Sequence, residues 1–264
     1  MYLKFIITFF VGAEGAMGIN GWQTKYLVAG ALILPFSPFL WLQGQYTRRK
    51  IGLLPAAAGD IAGLTGTGDN AVELLVLGES TVAGLGAETH EKALAGQFAF
   101  RLAEHLGRPV RWTAVGKNGV TAYRTIKELV PLVPNKKYDY VLLGLGGNDV
   151  MKLSSPVTWR REMLRLIAIL RERSPSSTIF MTNCPAINLS PALPQPIKGI
   201  LWELSKMHQA NTKEFTSQMA RVFYYDQPSF VPPDFFADGI HPSEQGYAAW
   251  ASAMITFFKE NYKW

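Results

Sequence analysis

Short apolar runs alternate with amphipathic patterns from residue 71 onward, and this alternation predicts the main fold. Runs of strand length occur at residues 72–77, 110–115, 138–145, 178–182 and 221–225. Between them, apolar residues recur every three or four positions, which is typical of helices with one buried face; one such series is Leu94, Phe98, Leu102 and Leu106. Strands separated by helices indicate a mainly parallel sheet with helices on both faces.

Polar residues follow three of the predicted strands directly. Ser80, Asn118-Gly119 and Asn148 each come just after an apolar run. In open parallel sheets, the chemistry collects at the carboxyl ends of the strands, so we expect these residues to share one edge. Residues 183–198 contain four prolines and predict an irregular loop that shapes a substrate pocket.

The N-terminal region has a different character. Residues 26–47 contain no charged residue, and residues 26–43 are apolar over about the length that a helix needs to cross a hydrocarbon core. Pro35 and Pro38 predict a kink, and residues 48–50 are all basic, which favours a cytoplasmic position for that end. We therefore expect membrane association through residues 26–43, as an anchor or as a hydrophobic hairpin on the catalytic domain or at the bilayer interface.

A second apolar stretch, residues 5–13, follows Lys4 and resembles a short signal-peptide core without a convincing cleavage site. A signal would favour a periplasmic location instead of the cytoplasmic side. These patterns predict three regions: a membrane-associating segment, a linker rich in Gly, Ala and Thr, and a catalytic domain, at residues 1–50, 51–70 and 71–264.

Composition and charge restrict the kinds of partner that the protein is expected to bind. The chain has 264 residues, of which 48% are hydrophobic and 17% charged, so a folded domain is expected over most of it. The net charge of +6 suits an anionic lipid surface or a basic soluble enzyme. There is no basic stripe interleaved with aromatic residues, which argues against nucleic-acid binding. The only cysteine, Cys184, excludes an internal disulfide.

Ser80 is a candidate nucleophile, and a serine hydroxyl needs a base to accept its proton. His241 is the best candidate, because it alone among four histidines lies in a loop with an acid at a short offset, Asp238. That carboxylate would orient the imidazole. The alternative is a plain turn at Asp238-Gly239 before a helix. The other histidines lie in helical or polar patterns: His90, His105 and His208.

An ester-cleaving serine also needs hydrogen-bond donors for the oxyanion of the tetrahedral intermediate. The backbone N–H groups of Ser80 and Gly119 and the side-chain amide of Asn148 are suited to this role. Glycine at position 119 would let the backbone approach a substrate. The alternative for residues 146–149 is an ordinary turn after a strand.

Four blocks in this order resemble those of the SGNH, or GDSL, hydrolase superfamily: Gly78-Glu79-Ser80, Gly119, Gly146-Gly147-Asn148-Asp149 and Asp238-Gly239-Ile240-His241. The similarity covers roughly residues 71–260. It implies a three-layer α/β/α sandwich of flavodoxin-like type with a five-stranded parallel sheet. It also implies a Ser80, His241 and Asp238 triad, an oxyanion hole of Ser80, Gly119 and Asn148, and a reaction without a cofactor. No metal site is predicted.

Two positions depart from the family pattern. Glu79 stands where the family usually has aspartate; it is outside the proton relay, so we expect activity to survive with a changed loop geometry. Residues 116–119 match the second block imperfectly. Val82 occupies the last position of the Gly-x-Ser-x-Gly elbow, so the chain does not fit the α/β-hydrolase pattern.

These features favour a serine esterase that hydrolyses carboxylic acyl esters, lipid-like or short-chain, by way of an acyl-enzyme. The alternatives of the same fold are a carbohydrate O-acetylesterase or transferase and an acyl-thioesterase. A catalytically silent binding module tethered to the membrane is a further alternative. The chain has no phosphate-binding Gly-x-x-x-x-Gly-Lys-Ser/Thr motif, which argues against a nucleotide-binding relative.

Overall fold

The computed structural model describes residues 18–184, 186–226 and 228–264. The predicted apolar stretch at residues 5–13 lies outside the described residues. The central sheet has six strands: β1 (Ala62–Thr65), β2 (Val72–Gly78), β3 (Val110–Gly116), β4 (Tyr140–Gly144), β5 (Thr178–Met181) and β6 (Val222–Tyr224). They lie in the order β1-β3-β2-β4-β5-β6, and the five strands other than β1 run parallel. The predicted parallel sheet is confirmed.

β1 differs from the prediction, because it lies within residues 51–70, which were expected to be a linker. It pairs antiparallel with β3 and extends the sheet to six strands. Its sequence, Ala-Gly-Leu-Thr, lacks an apolar run because the edge strand is only half buried. Packing explains why residue 63 is glycine, since a Cβ there would lie 2.6 Å from the indole of Trp112. Backbone pairing rather than side-chain burial therefore forms this strand.

Helices cover both faces of the sheet. The main ones are α3 (Leu94–Leu106), α6 (Pro156–Arg173), α7 (Ile197–Ser217) and α8 (Glu244–Asn261); the short α4 (Ala122–Arg124) and α5 (Gly147–Met151) follow β3 and β4. α3 and α8 bury Phe98 and Tyr247 against one face, and α6 and α7 bury Trp159 and Phe215 against the other. The predicted three-layer α/β/α arrangement is confirmed.

Within residues 18–61 of the described chain, two helices precede the sheet, α1 (Ile19–Ile33) and α2 (Ser37–Ile51), joined by a 3-10 turn at Leu34–Phe36. The turn contains Pro35, so the predicted interruption is present. By length and composition alone, the 33-residue stretch Ile19–Ile51 could cross a membrane. α1 contacts α6 and α7, and α2 contacts α7, so both helices pack against the domain that contains the sheet.

The strand register brings three loops to one edge. Gly78, the last residue of β2, is paired with Gly116 on β3 and Gly144 on β4. A Cβ at Gly78 would lie 2.0 Å from the carbonyl oxygen of Gly144, so only glycine fits between these strands. The loops after β2, β3 and β4 therefore leave the sheet side by side.

Candidate active site

Ser80 lies in a tight turn after β2. The backbone N–H groups of Val82 and Ala83 both donate to the carbonyl of Glu79 at 3.0 Å, which folds the chain back around the serine. The residue is 7% exposed, so only a small part of it reaches solvent. Its Oγ lies 3.2 Å from Nε2 of His241, which is 161 positions later in the chain.

The loop before α8 holds the histidine. Nδ1 of His241 lies 2.8 Å from Oδ2 of Asp238, and Oδ1 of the same carboxylate accepts the backbone N–H groups of Ile240 at 2.9 Å and His241 at 2.7 Å. Gly239 has a φ of +86°, which favours glycine. The turn and the acid–histidine pair, which the sequence presented as alternatives, are one feature.

The same contacts keep Asp238 ionised. Burial alone would raise the pKa of this carboxyl, but the hydrogen bonds from the His241 ring and from the two backbone N–H groups outweigh burial and lower it. A carboxylate beside Nδ1 of His241 favours the imidazole tautomer that carries its proton on that nitrogen.

Glu79 has a role that the sequence did not predict. Its buried carboxylate accepts the backbone N–H of Gly147 at 2.7 Å, the backbone N–H of Asn148 at 2.8 Å and the side-chain amide of Asn148 at 2.6 Å. It therefore connects the turn that carries Ser80 to the turn that carries Asn148. The available signal was an acid directly after a strand that is buried at every position but one, where a charge is costly unless it is hydrogen-bonded.

Burial raises the pKa of Glu79 to about 7. The hydrogen bonds from Asn148 and Gly147 act in the opposite direction, and the nearby Asp149 carboxylate raises the pKa further. This group therefore titrates close to neutral pH, next to the candidate nucleophile.

Gly119 lies in the loop after β3 with a φ of +80°. A Cβ there would meet no atom within 4 Å, so the backbone conformation, rather than crowding by the protein, favours glycine. The carbonyl of Gly119 accepts Nζ of Lys152 at 2.6 Å and Nη1 of Arg124 at 3.1 Å. Lys152 follows α5, so this contact joins the loop after β3 to the region of Asn148.

Asp149 reinforces that connection. Its carboxylate accepts the backbone N–H of Ala122 at 2.9 Å and the hydroxyl of Ser154 at 3.1 Å. Burial raises its pKa to about 6, although both hydrogen bonds lower it. Together, Glu79 and Asp149 connect all three loops at this edge of the sheet.

His208 lies outside this arrangement and has a structural role. It is buried, stacks on Trp159 with ring centroids 5.2 Å apart, and its Nε2 lies 2.9 Å from the carbonyl oxygen of Ser154. Burial lowers its pKa to about 4, which keeps the ring neutral. Within the described ranges of the chain, no three His, Cys, Asp or Glu side chains are grouped as metal ligands.

Residues 76–249 match the GDSL-like Lipase/Acylhydrolase family. A GDSL-like esterase of Mycobacterium tuberculosis is 23% identical over 197 residues, which cover 72% of this chain and 62% of that protein. The match therefore spans less than two thirds of the curated relative.

Solved structures share the fold. A family two carbohydrate esterase from Clostridium thermocellum, in complex with cellohexaose, has a TM-score of 0.53 and 14% identity over 72% of this chain and 64% of that one. The psychrotrophic esterase EstA from Pseudoalteromonas sp., inhibited by monoethylphosphonate, has a TM-score of 0.52 and 14% identity over 71% and 97%. With its family match over residues 76–249, the chain belongs to the GDSL-like lipase/acylhydrolase family.

Proposed function

We propose that this protein is a serine hydrolase of carboxylic esters, with Ser80 as nucleophile, His241 as general base and Asp238 as the orienting acid. The observation that carries the proposal is the continuous hydrogen-bonded chain from Asp238 through His241 to Ser80, with contacts of 2.8 and 3.2 Å. Family membership and the esterase names among its relatives support the same reaction class.

In the first half-reaction, His241 takes the Ser80 proton as Oγ attacks the ester carbonyl, and the tetrahedral intermediate forms. His241 then gives that proton to the leaving alcohol, and the acyl group remains on Ser80. In the second half-reaction, His241 takes a proton from water, which attacks the acyl-enzyme. Collapse of this intermediate returns the proton to Ser80 and releases the acid.

The oxyanion would be held by the backbone N–H groups of Ser80 and Gly119 and by Nδ2 of Asn148. An amide nitrogen carries two hydrogens, so the bond from Asn148 to Glu79 leaves a second hydrogen for the substrate. Glu79 supports this role by holding both the backbone and the side chain of Asn148. We place it as a positioning residue.

The test is hydrolysis of a nitrophenyl ester by Ser80→Ala. Loss of the nucleophile should reduce kcat by roughly a thousandfold or more, and His241→Ala should do nearly as much damage because the two groups act as a unit. Ser217→Ala is the matched control, since that hydroxyl is exposed and only contacts the carbonyl of Glu214. Turnover by Ser80→Ala at the rate of the control would refute the mechanism.

A carbohydrate O-acetylesterase is a second candidate, favoured by the structural similarity to a carbohydrate esterase. An acyl-thioesterase would use the same groups. A panel of esters with acyl chains from acetyl to dodecanoyl distinguishes these substrate classes. A sharp preference for acetyl favours a carbohydrate ester, and a preference for long chains favours a lipid-like ester.

We also propose that the protein is membrane-associated through residues 26–43, with the catalytic domain on the cytoplasmic side. The apolar stretch Ile19–Ile51 and the basic residues Arg48, Arg49 and Lys50 support this. Fractionation of cells expressing the full chain tests it. Recovery of all the protein in the soluble fraction would contradict it.

A further inference from the structure

We propose that α1 and α2 lie flat on the surface of an anionic lipid bilayer and hold the catalytic loops beside it, so that the enzyme acts on amphiphilic esters within that surface. The docking part rests on the proposed membrane association, and the substrate class rests on the proposed esterase function. The apolar and basic character of the outward face of these helices favours a bilayer as its partner.

The outward face is broad and apolar. Large hydrophobic side chains are exposed from the middle of α1, through the 3-10 turn, to the second half of α2: Leu27, Val28, Leu32, Leu34, Phe36, Phe39, Trp41, Leu42 and Tyr46. Residues 18–59 contain four basic residues and no acidic one, with Lys25 in α1 and three consecutive cations at the end of α2. A basic apolar surface is complementary to anionic headgroups above acyl chains.

The inward face is tied to the catalytic domain at two distant points. At the middle of α1, the hydroxyl of Tyr26 donates to the carbonyl of Leu153 at 2.7 Å. In α2, Nε2 of Gln43 donates to the carbonyl of Gln195 at 2.7 Å. These positions are 17 residues apart, or about 25 Å along a helix.

Those two attachments argue against a membrane-spanning orientation. A span of about 25 Å is close to the thickness of the hydrocarbon core, so a helix crossing it would bring both attachment points of the domain to membrane depth. The irregular loops around these points would then lie at the depth of the hydrocarbon core, where lipid-exposed irregular backbone does not occur. With the helices in the plane of the interface, the domain stays in water and the apolar face meets lipid.

α1 packs against the loops that carry Asn148 and His241. Trp22, Tyr26 and Ile33 of α1 join an apolar cluster that also contains Val150 and Ile240. Val150 is two residues after Asn148, and Ile240 lies between Asp238 and His241. A bilayer under α1 and α2 would therefore lie next to both loops, which suits an ester whose acyl chain is anchored in the membrane.

Vesicle flotation tests the docking separately from catalysis. The full-length chain with Ser80→Ala should float with vesicles of phosphatidylcholine and phosphatidylglycerol and bind less to phosphatidylcholine alone. Phe39→Asp and Leu42→Asp together should lower binding at least tenfold, because two apolar side chains that would be buried in the bilayer are replaced by charged ones. Leu132→Asp is the matched control, since Leu132 is 67% exposed and Phe39 is 60% exposed. Equal losses in both variants would overturn the proposal.

Depth measurement tests the orientation. Cys184 is buried and is the only cysteine, so a fluorophore can be placed through Leu27→Cys or Phe39→Cys, and quenched by nitroxides at known depths in the bilayer. In-plane helices place both labels at the same shallow depth. A spanning helix would separate them by about 18 Å, and that result would overturn the proposal.

Light scattering without lipid tests whether the outward face of α1 and α2 binds a second copy of this chain instead of a bilayer. If α1 and α2 instead cover a second copy of this chain, the protein should be a dimer that Phe39→Asp and Leu42→Asp dissociate, with no vesicle binding by either form. That outcome also overturns the proposal. Failure of the esterase mechanism would be distinct, because it would abolish hydrolysis of a water-soluble ester while leaving flotation unchanged.

Discussion

Glu79 concentrates several opposing effects in one side chain. A carboxylate directly after a buried strand loses most of its hydration, which is unfavourable for the charged form. Three hydrogen bonds from Gly147 and Asn148 offset part of that loss and fix the position of Asn148, while burial still leaves the pKa of Glu79 raised. The residue is therefore expected to act on catalysis by orienting the amide donor.

Replacing Glu79 should separate this positioning role from a structural one. In Glu79→Gln, an NH₂ group faces donors and leaves one of the three hydrogen bonds unmade. We expect kcat to fall about 10- to 100-fold with little change in KM, since an oxyanion donor acts mainly in the transition state. Glu79→Asp keeps the charge and should recover part of the rate. Wild-type kinetics in both variants would contradict the role.

The raised pKa of Glu79 also predicts a pH dependence of stability. Its pKa of about 7 in the folded protein exceeds its ordinary value of 4.5, so the folded state holds a proton that the unfolded chain releases between these values. Stability should therefore fall as pH rises through this window, by up to about 3 kcal/mol. Urea unfolding of wild type and Glu79→Gln at both ends of the window measures the difference. A parallel pH dependence in the two proteins would contradict the assignment.

At the scale of elements, the loop carrying the histidine rests on the segment that follows Ser80. Gly86 has a φ of +93°, and a Cβ there would lie 2.1 Å from the carbonyl oxygen of Pro242. The histidine loop is itself closed by a hydrogen bond from the N–H of Ala237 to the carbonyl of His241 at 2.8 Å. A side chain at position 86 would therefore push the histidine loop away from Ser80.

Gly86→Ala should lower kcat at least tenfold by displacing His241, since a shift of about 1 Å in a catalytic group can cost a hundredfold. Gly107→Ala is the matched control. Gly107 also has a positive φ, of 62°, but a Cβ there meets no atom within 4 Å. The control should lose only about 1 kcal/mol of stability and keep its rate. Equal rates in the two variants would contradict this coupling. Circular dichroism checks that both are folded.

The five strands that the sequence predicted bury more side-chain surface than β1, which it did not predict. The strands that became β2, β3, β4, β5 and β6 were found within two residues of their ends, because each buries an apolar run. β1 escaped prediction because it is a short half-exposed edge strand formed by backbone pairing with β3. Periodicity detects burial, and an edge strand of this kind has little.

At the scale of the whole molecule, positive charge and an apolar surface lie on the same helices. If these helices dock on a bilayer, electrostatic attraction should contribute roughly 1 kcal/mol for each basic residue near the surface. Binding of the full chain to phosphatidylglycerol-containing vesicles should therefore weaken as salt is raised from low to high, because the Debye length falls to about 3 Å at 1 M. Titration of flotation against sodium chloride measures this. Vesicle binding that does not depend on salt would contradict the electrostatic contribution and would show that apolar contacts alone hold the protein on the vesicle.

The sequence by itself determined the parallel sheet, the order of the chemical groups and the apolar N-terminal helices. These follow from local burial patterns and from residue types, which are readable without coordinates. Only the tertiary structure decided that the Asp238 turn and the histidine form one unit, that Glu79 holds Asn148, and that α1 packs against the loops around Asn148 and Asp238. The first feature depends on the geometry of a local turn, which residue types alone do not specify. The other two depend on contacts between residues far apart in the chain, and the strand register that brings those residues together cannot be inferred from any one segment.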